Sequence, residues 1–189
     1  MRVVVVEDEW LLGTILCASL QAAGYEVVAR VQDGAEALNA CPTLRPDLVL
    51  MDIQMPKMSG IEATRLLMEM CPTCVVVLTA RSDLQTEAVR AGAMGYLEKP
   101  VSEPVLRAAM GSARQRFRWF ERVLKESPSV PDALSDWQVV TAVTAGLRER
   151  ARCSEEEAFT QLDGAAQAHR LSLREAAMRL STESSIPIA

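Results

Sequence analysis

A chain of 189 residues with 25 acidic and 20 basic side chains carries a formal charge of −5, which argues against indiscriminate binding to nucleic acid or anionic membrane. At 49% hydrophobic but 4% aromatic residues, it can hold one aliphatic core and a smaller module. The N-terminal apolar run 3–6 is too short for a signal peptide or a span, and the five cysteines are scattered, so a cytoplasmic protein with no membrane partner is expected.

Residues 2–6, 47–51 and 74–78 are short aliphatic runs without polar alternation, the pattern of parallel strands buried on both faces. Leu11, Leu12, Ile15, Leu16 and Leu20 predict one apolar helix face, stopped by Gly24. A second strand over 26–31 and a helix over 34–40 follow. Helices are then predicted over 61–70 and 84–91, a fifth strand over 95–97, and a helix from Ser102. Five β–α units in a row imply a doubly wound parallel five-stranded α/β sheet with right-handed crossovers.

The fifth helix runs on. Leu106, Met110, Ala113, Phe117, Phe120 and Leu124 alternate four-and-three, the spacing of a coiled-coil seam; this implies either a homodimer through helix 103–125 or packing of Phe117, Phe120 and Leu124 against the C-terminal helices of the same chain. Ser127-Pro128-Ser129-Val130-Pro131-Asp132 reads as a break. The expected domains are therefore 1–125, a linker 126–132, and a small all-α module of three short helices over 133–189. Trp137, Val140, Val143, Ala145 and Leu147 form the inner face of the first helix. Ser154 caps the second, with Glu155, Glu156 and Glu157 in its first turn, and Ser172 opens the third.

In doubly wound sheets the ligand site lies at the carboxyl ends of the strands. Glu7 and Asp8 follow the first strand, Asp52 ends the third, Thr79 ends the fourth and Lys99 follows the fifth. Three carboxylates on one rim repel one another, and an all-oxygen site with room for water suits Mg²⁺. Asp52 would supply one metal oxygen and also attack phosphorus. Glu7, Asp8 and the backbone carbonyl of Gln54 would complete the ligand set, with Lys99 and Thr79 on the phosphoryl oxygens. Pro100 can fix a turn that aims Lys99 inward.

Glu7-Asp8, Asp52-Ile53-Gln54-Met55-Pro56, Gly60, Thr79-Ala80 and Lys99-Pro100 together resemble the signature of two-component response-regulator receiver domains. That resemblance implies a flavodoxin-like fold with strand order 2-1-3-4-5, a cognate histidine kinase as phosphodonor, and an acyl phosphate on Asp52. It also implies that Thr79 and Tyr96 move together as a switch. Leu147-Arg148-Glu149-Arg150, Ser154, Ala158-Phe159, Leu162, Gln167 and Leu173-Arg174-Glu175-Ala176-Ala177 resemble an ANTAR domain. This implies RNA-hairpin binding and transcription antitermination, with Arg148, Arg150, Arg152, Arg170, Arg174 and Arg179 as candidate contacts.

Two departures bear on the output. Val143-Thr144-Ala145-Gly146-Leu147 stands where that family has an Ala-Lys-Gly-Ile-Leu run. The module's acids (Asp132, Asp136, Glu149, Glu155, Glu156, Glu157, Asp163, Glu175 and Glu183) also outnumber its arginines. The alternative is a phosphorylation-dependent protein-interaction regulator whose output binds no RNA. No helix-turn-helix with a basic recognition helix predicts DNA binding, and no nucleophile–base pair predicts an enzyme. Cys71-Pro72-Thr73-Cys74 lacks further zinc ligands nearby, and His169 reads as a surface residue.

Overall fold

The computed structural model describes residues 1–184, except the side chains of Ser82, Glu183 and Ser184. Residues 185–189, assigned above to the helical module, and the Glu183 side chain lie outside the described residues. The chain forms two compact units, Met1–Phe117 and Arg118–Ala189.

In the first unit, β1 (Arg2–Val6), β2 (Glu26–Val31), β3 (Leu48–Asp52), β4 (Val75–Thr79) and β5 (Gly95–Glu98) alternate with α1 (Trp10–Ala22), α2 (Gly34–Leu44), α3 (Gly60–Met70), α4 (Gln85–Arg90) and the start of α5 (Glu103–Glu126). All pairings are parallel and the strand order is β2-β1-β3-β4-β5. This is the flavodoxin-like order, and β1, β3 and β4 lie inside the sheet.

Alternate side chains divide the core in two. Val4, Val6, Val49, Met51, Val75 and Val77 pack with Ala37, Ala63, Leu67 and Ala88 of α2, α3 and α4. On the other side, a Cβ placed on Gly95 would meet both Val76 and Ala113 of α5. Leu78 lines a groove there with Leu16 of α1 and Leu106 of α5.

The apolar face predicted for α1 is only half used. Leu16 and Leu20 are buried, but Leu11 is 57% exposed and Ile15 52%. The reason lies in the N-terminal half of α1, where Gly13 rather than Leu11 faces inward. The Arg30 guanidinium lies over Gly13, where a Cβ would come within 2.4 Å of Nε, and Arg30 Nη1 donates to Thr14 Oγ1 at 3.1 Å. Helix α2 also runs past the predicted end at 40, taking Pro42 into its last turn while Arg45 N–H still reaches the Cys41 carbonyl at 2.8 Å.

The second unit comprises the end of α5 with α6 (Val130–Ala151), α7 (Glu155–His169) and α8 (Leu173–Ser184). The predicted linker 126–132 is replaced by a short turn after Glu126. Pro131 sits in the first turn of α6, where its missing N–H costs nothing, and the Ser129 hydroxyl accepts from Asp132 N–H. As a result α6 is long rather than short.

The seam residues of α5 are occupied within the chain. Leu106, Met110, Ala113, Phe117 and Phe120 are all buried, and Val123 rather than Leu124 continues the stripe. The heptad spacing thus marks an apolar stripe that is buried within the chain, and does not by itself name a partner. In the second unit the stripe meets an aromatic cluster. Phe159 stacks between Trp119 and Trp137 at centroid distances of 5.4 and 5.5 Å, and Phe120 meets Trp137 edge-on.

Candidate functional site

Strand ends deliver the polar residues to one point. Glu7 follows β1 and is buried, Asp52 is the last residue of β3 and buried, and Asp8 is exposed beside them. One carboxylate oxygen from each of Glu7, Asp8 and Asp52 lies within 4.8 Å of the others. Lys99 follows β5, reaches inward past a cis Lys99–Pro100 bond, and sets its Nζ 2.8 Å from Glu7 Oε2 and 3.0 Å from Asp52 Oδ2.

The charges explain the local titration. Burial, opposed by the Lys99 hydrogen bond and helped by the Asp52 charge, raises the Glu7 carboxyl above the usual carboxylate range. Burial alone would lower Lys99, but the Glu7 and Asp52 carboxylates outweigh it and hold the ammonium above its ordinary value. Three carboxylates against one ammonium leave the rim two charges short of neutrality. The donors are all oxygens, so the residues present fit a hard divalent cation such as Mg²⁺.

The loop after Asp52 is shaped by Gly60. A Cβ at this position would lie 1.9 Å from the Asp52 carbonyl oxygen, and Gly60 N–H donates to the Ile53 carbonyl at 2.9 Å. Gln54 is on this loop, and its N–H lies 3.4 Å from Asp52 Oδ1.

Thr79 is fully buried, and its Oγ1 accepts from Arg81 N–H at 3.1 Å. The Tyr96 hydroxyl donates to the Arg81 carbonyl, so one backbone residue touches both expected switch side chains. Burial, then the Glu98 and Asp83 charges, raise the Tyr96 phenol. Sequence reasoning missed Arg81, because nothing in its side chain marks a role carried by its backbone.

The six candidate arginines are distributed over the end of α6, the end of α7 and α8. Arg148 and Arg150 end α6, with Arg152 as its left-handed cap (φ 50°). Arg170 caps α7 in the same way (φ 54°), and Arg179 lines a small cavity with His169, Ala165 and Ala176. Arg174 is committed to Asp136, Nε to Oδ1 at 2.7 Å. Several acids counted against RNA binding hold the unit together instead. Glu157 closes a capping box with Ser154, Glu175 accepts from Ser172 N–H, and Asp163 pairs with Arg122. No helix among the described residues is long and apolar enough to cross a membrane.

The family model for the response regulator receiver domain matches residues 3–111, and that for the ANTAR domain matches residues 131–180. The chain is a response regulator with a receiver domain and an ANTAR domain. Over 178 residues it is 35% identical to the transcriptional regulatory protein PdtaR of Mycobacterium tuberculosis, covering 93% of this chain and 87% of that one. It is 43% identical over 106 residues to protein-glutamate methylesterase/protein-glutamine glutaminase 4 of Myxococcus xanthus, covering 53% of this chain but 30% of that protein. The response regulator resembles the receiver domain of a modulated diguanylate cyclase from Desulfovibrio desulfuricans at a TM-score of 0.58 and 30% identity, covering 62% of this chain and 96% of that one. The response regulator domain of Thermotoga maritima CheB aligns at 0.54 and 31% identity, over 62% and 96% of the two chains.

Proposed function

We propose that Asp52 accepts a phosphoryl group from a cognate histidine kinase, with Mg²⁺ held by Glu7, Asp8, Asp52 and the Gln54 carbonyl. The observation that carries this reading is the Lys99 ammonium lying within 3.0 Å of both Glu7 and Asp52 at the strand ends. A carboxylate oxygen of Asp52 attacks phosphorus, and the donor's leaving group departs with the bonding pair. Because Asp52 attacks as a carboxylate, no general base is required. Lys99 and the Thr79 hydroxyl engage the phosphoryl oxygens; the cation, when bound, supplies the remaining charge neutralisation.

Drawing the Thr79 hydroxyl toward the phosphoryl group releases Arg81 N–H and disturbs the carbonyl on which Tyr96 rests. Tyr96→Ala should therefore leave Asp52 phosphorylation intact and weaken the output. The output itself is RNA-hairpin binding by the ANTAR unit and relief of transcription termination. Arg148 and Arg152 lie one turn apart at the end of α6 and are the first contacts to test. A-form helices hide base edges in a narrow major groove, so unpaired loop bases are the target class.

The test is to incubate full-length protein with Mg²⁺ and a small acyl-phosphate donor. A hydroxylamine-labile phosphoryl adduct is expected on wild type and not on Asp52→Ala; an equal adduct on both would remove Asp52 from the mechanism. Phosphorylated wild type should then retain hairpin RNA with a steep salt dependence that Arg148→Ala/Arg152→Ala flattens. A second reading, output through a protein partner, draws support from the Arg174–Asp136 pair, which ties up one candidate contact. Phosphorylated protein that retains no hairpin at low salt would favour it.

A further inference from the structure

The loop between Asp52 and Gly60 is fixed at its base by the Gly60 contacts and at its tip by a second set, to Asp33 and Gly34. Met58 N–H donates to the Pro56 carbonyl at 2.7 Å, closing a three-residue turn whose centre, Lys57, has φ 63°. Side chains rarely adopt that conformation, and such turns are held by their surroundings. Here two neighbouring contacts hold it, on the N-cap and the first residue of α2. Lys57 Nζ lies 2.6 Å from Asp33 Oδ2, and the Met58 side chain lies against Gly34, where a Cβ would come within 2.9 Å of Met58 Cγ.

Asp33 is a rigid anchor. Its side chain is 2% exposed and accepts from Glu36 N–H at 2.8 Å as the N-cap of α2, whereas the Lys57 side chain is 72% exposed. Gln54 sits between the pinned base and the pinned tip.

We propose that Lys57 is a positioning residue for the cation site: its ion pair with Asp33, beside Met58 on Gly34, docks the loop bearing Gln54 onto α2 and thereby sets the affinity for Mg²⁺. This rests on the reading of Glu7, Asp8, Asp52 and the Gln54 carbonyl as the ligand set. A loop released from Asp33 has to be ordered by the incoming ion, and that ordering weakens binding.

Calorimetric titration of Mg²⁺ into full-length wild type, Lys57→Met, Lys57→Arg, Asp33→Asn and the double variant Asp33→Asn/Lys57→Met tests it, with urea midpoints measured alongside. Asparagine keeps the α2 cap, so Asp33→Asn removes the charge alone. Lys57→Met and Asp33→Asn should each weaken Mg²⁺ binding about five-fold, the double variant no more than either, and Lys57→Arg should bind like wild type. Lys57→Met with wild-type affinity, including one whose urea midpoint alone falls, overturns the proposal. So do single losses that multiply in the double variant. Wild type that binds no Mg²⁺ overturns the ligand assignment, and the positioning role with it.

Discussion

Gly60 shapes the loop after Asp52 through an atom it does not have. A side chain there would drive the start of α3 off the Asp52 carbonyl, with backbone on both sides of the clash. Gly60→Ala should cost about 3 kcal/mol or more in urea unfolding, at the upper end of overpacking; a loss within error of zero would mean the loop relaxes freely. Asp33 gives the pH prediction. The Lys57 hydrogen bond, then the Glu36 N–H, hold its carboxyl below the usual 3.8. The folded chain thus binds fewer protons than the unfolded one, so this contribution is present above 3.8 and is lost as pH falls below it. The stability gap between wild type and Asp33→Asn should close over that acid range; a gap that persists there would assign it to something other than charge.

At the scale of elements, capping was the most legible feature. Ser154 with Glu157 forms a capping box, and Ser172 with Glu175 makes the corresponding contacts at the start of α8. Ser154→Ala should cost about 1 kcal/mol, read as a lower melting temperature. Glu157 and Glu175 are both held below the usual 4.5 by their serine partners, so their share of stability is present above that value and lost beneath it. The strands were legible to within one residue, because an unbroken aliphatic run needs burial on both faces and the sheet supplies it. Polar residues after those runs converge on one cluster of carboxylates with Lys99, since strand ends leave few other places for them. Other features were not written locally. Pro131 reads as a break until its position in a first helical turn is known. Leu11 and Ile15 fit a helical stripe as well as Leu16 does, and the Arg30 side chain of β2, which lies over Gly13, is not foreshadowed in the sequence around α1. Lys57 and Asp33 are 24 residues apart in sequence, with nothing in either to announce the other.

Across the whole molecule, the division between units falls inside α5. The last turns of this helix make polar contacts with each of the other three helices of the second unit. Arg122 pairs with Asp163 of α7, Ser127 just beyond α5 bonds to Asp136 of α6 at 2.8 Å, and Glu126 accepts from Leu173 N–H of α8 at 2.9 Å. Phe120 is fully buried there, and losing a buried Phe side chain typically costs about 3–5 kcal/mol. A fragment starting at Val130 should lack a cooperative thermal transition, and one starting at Arg118 should regain it. Equal melting of the two fragments would show that α6, α7 and α8 suffice. The placement of the three tryptophans has a practical consequence. Trp10 opens α1 and is 68% exposed, while Trp119 and Trp137 flank Phe159 in the other unit. Replacing Trp10 by Phe would leave an emission spectrum that reports the helical half alone, so each half of the chain can be followed by its own intrinsic fluorophore, without a label.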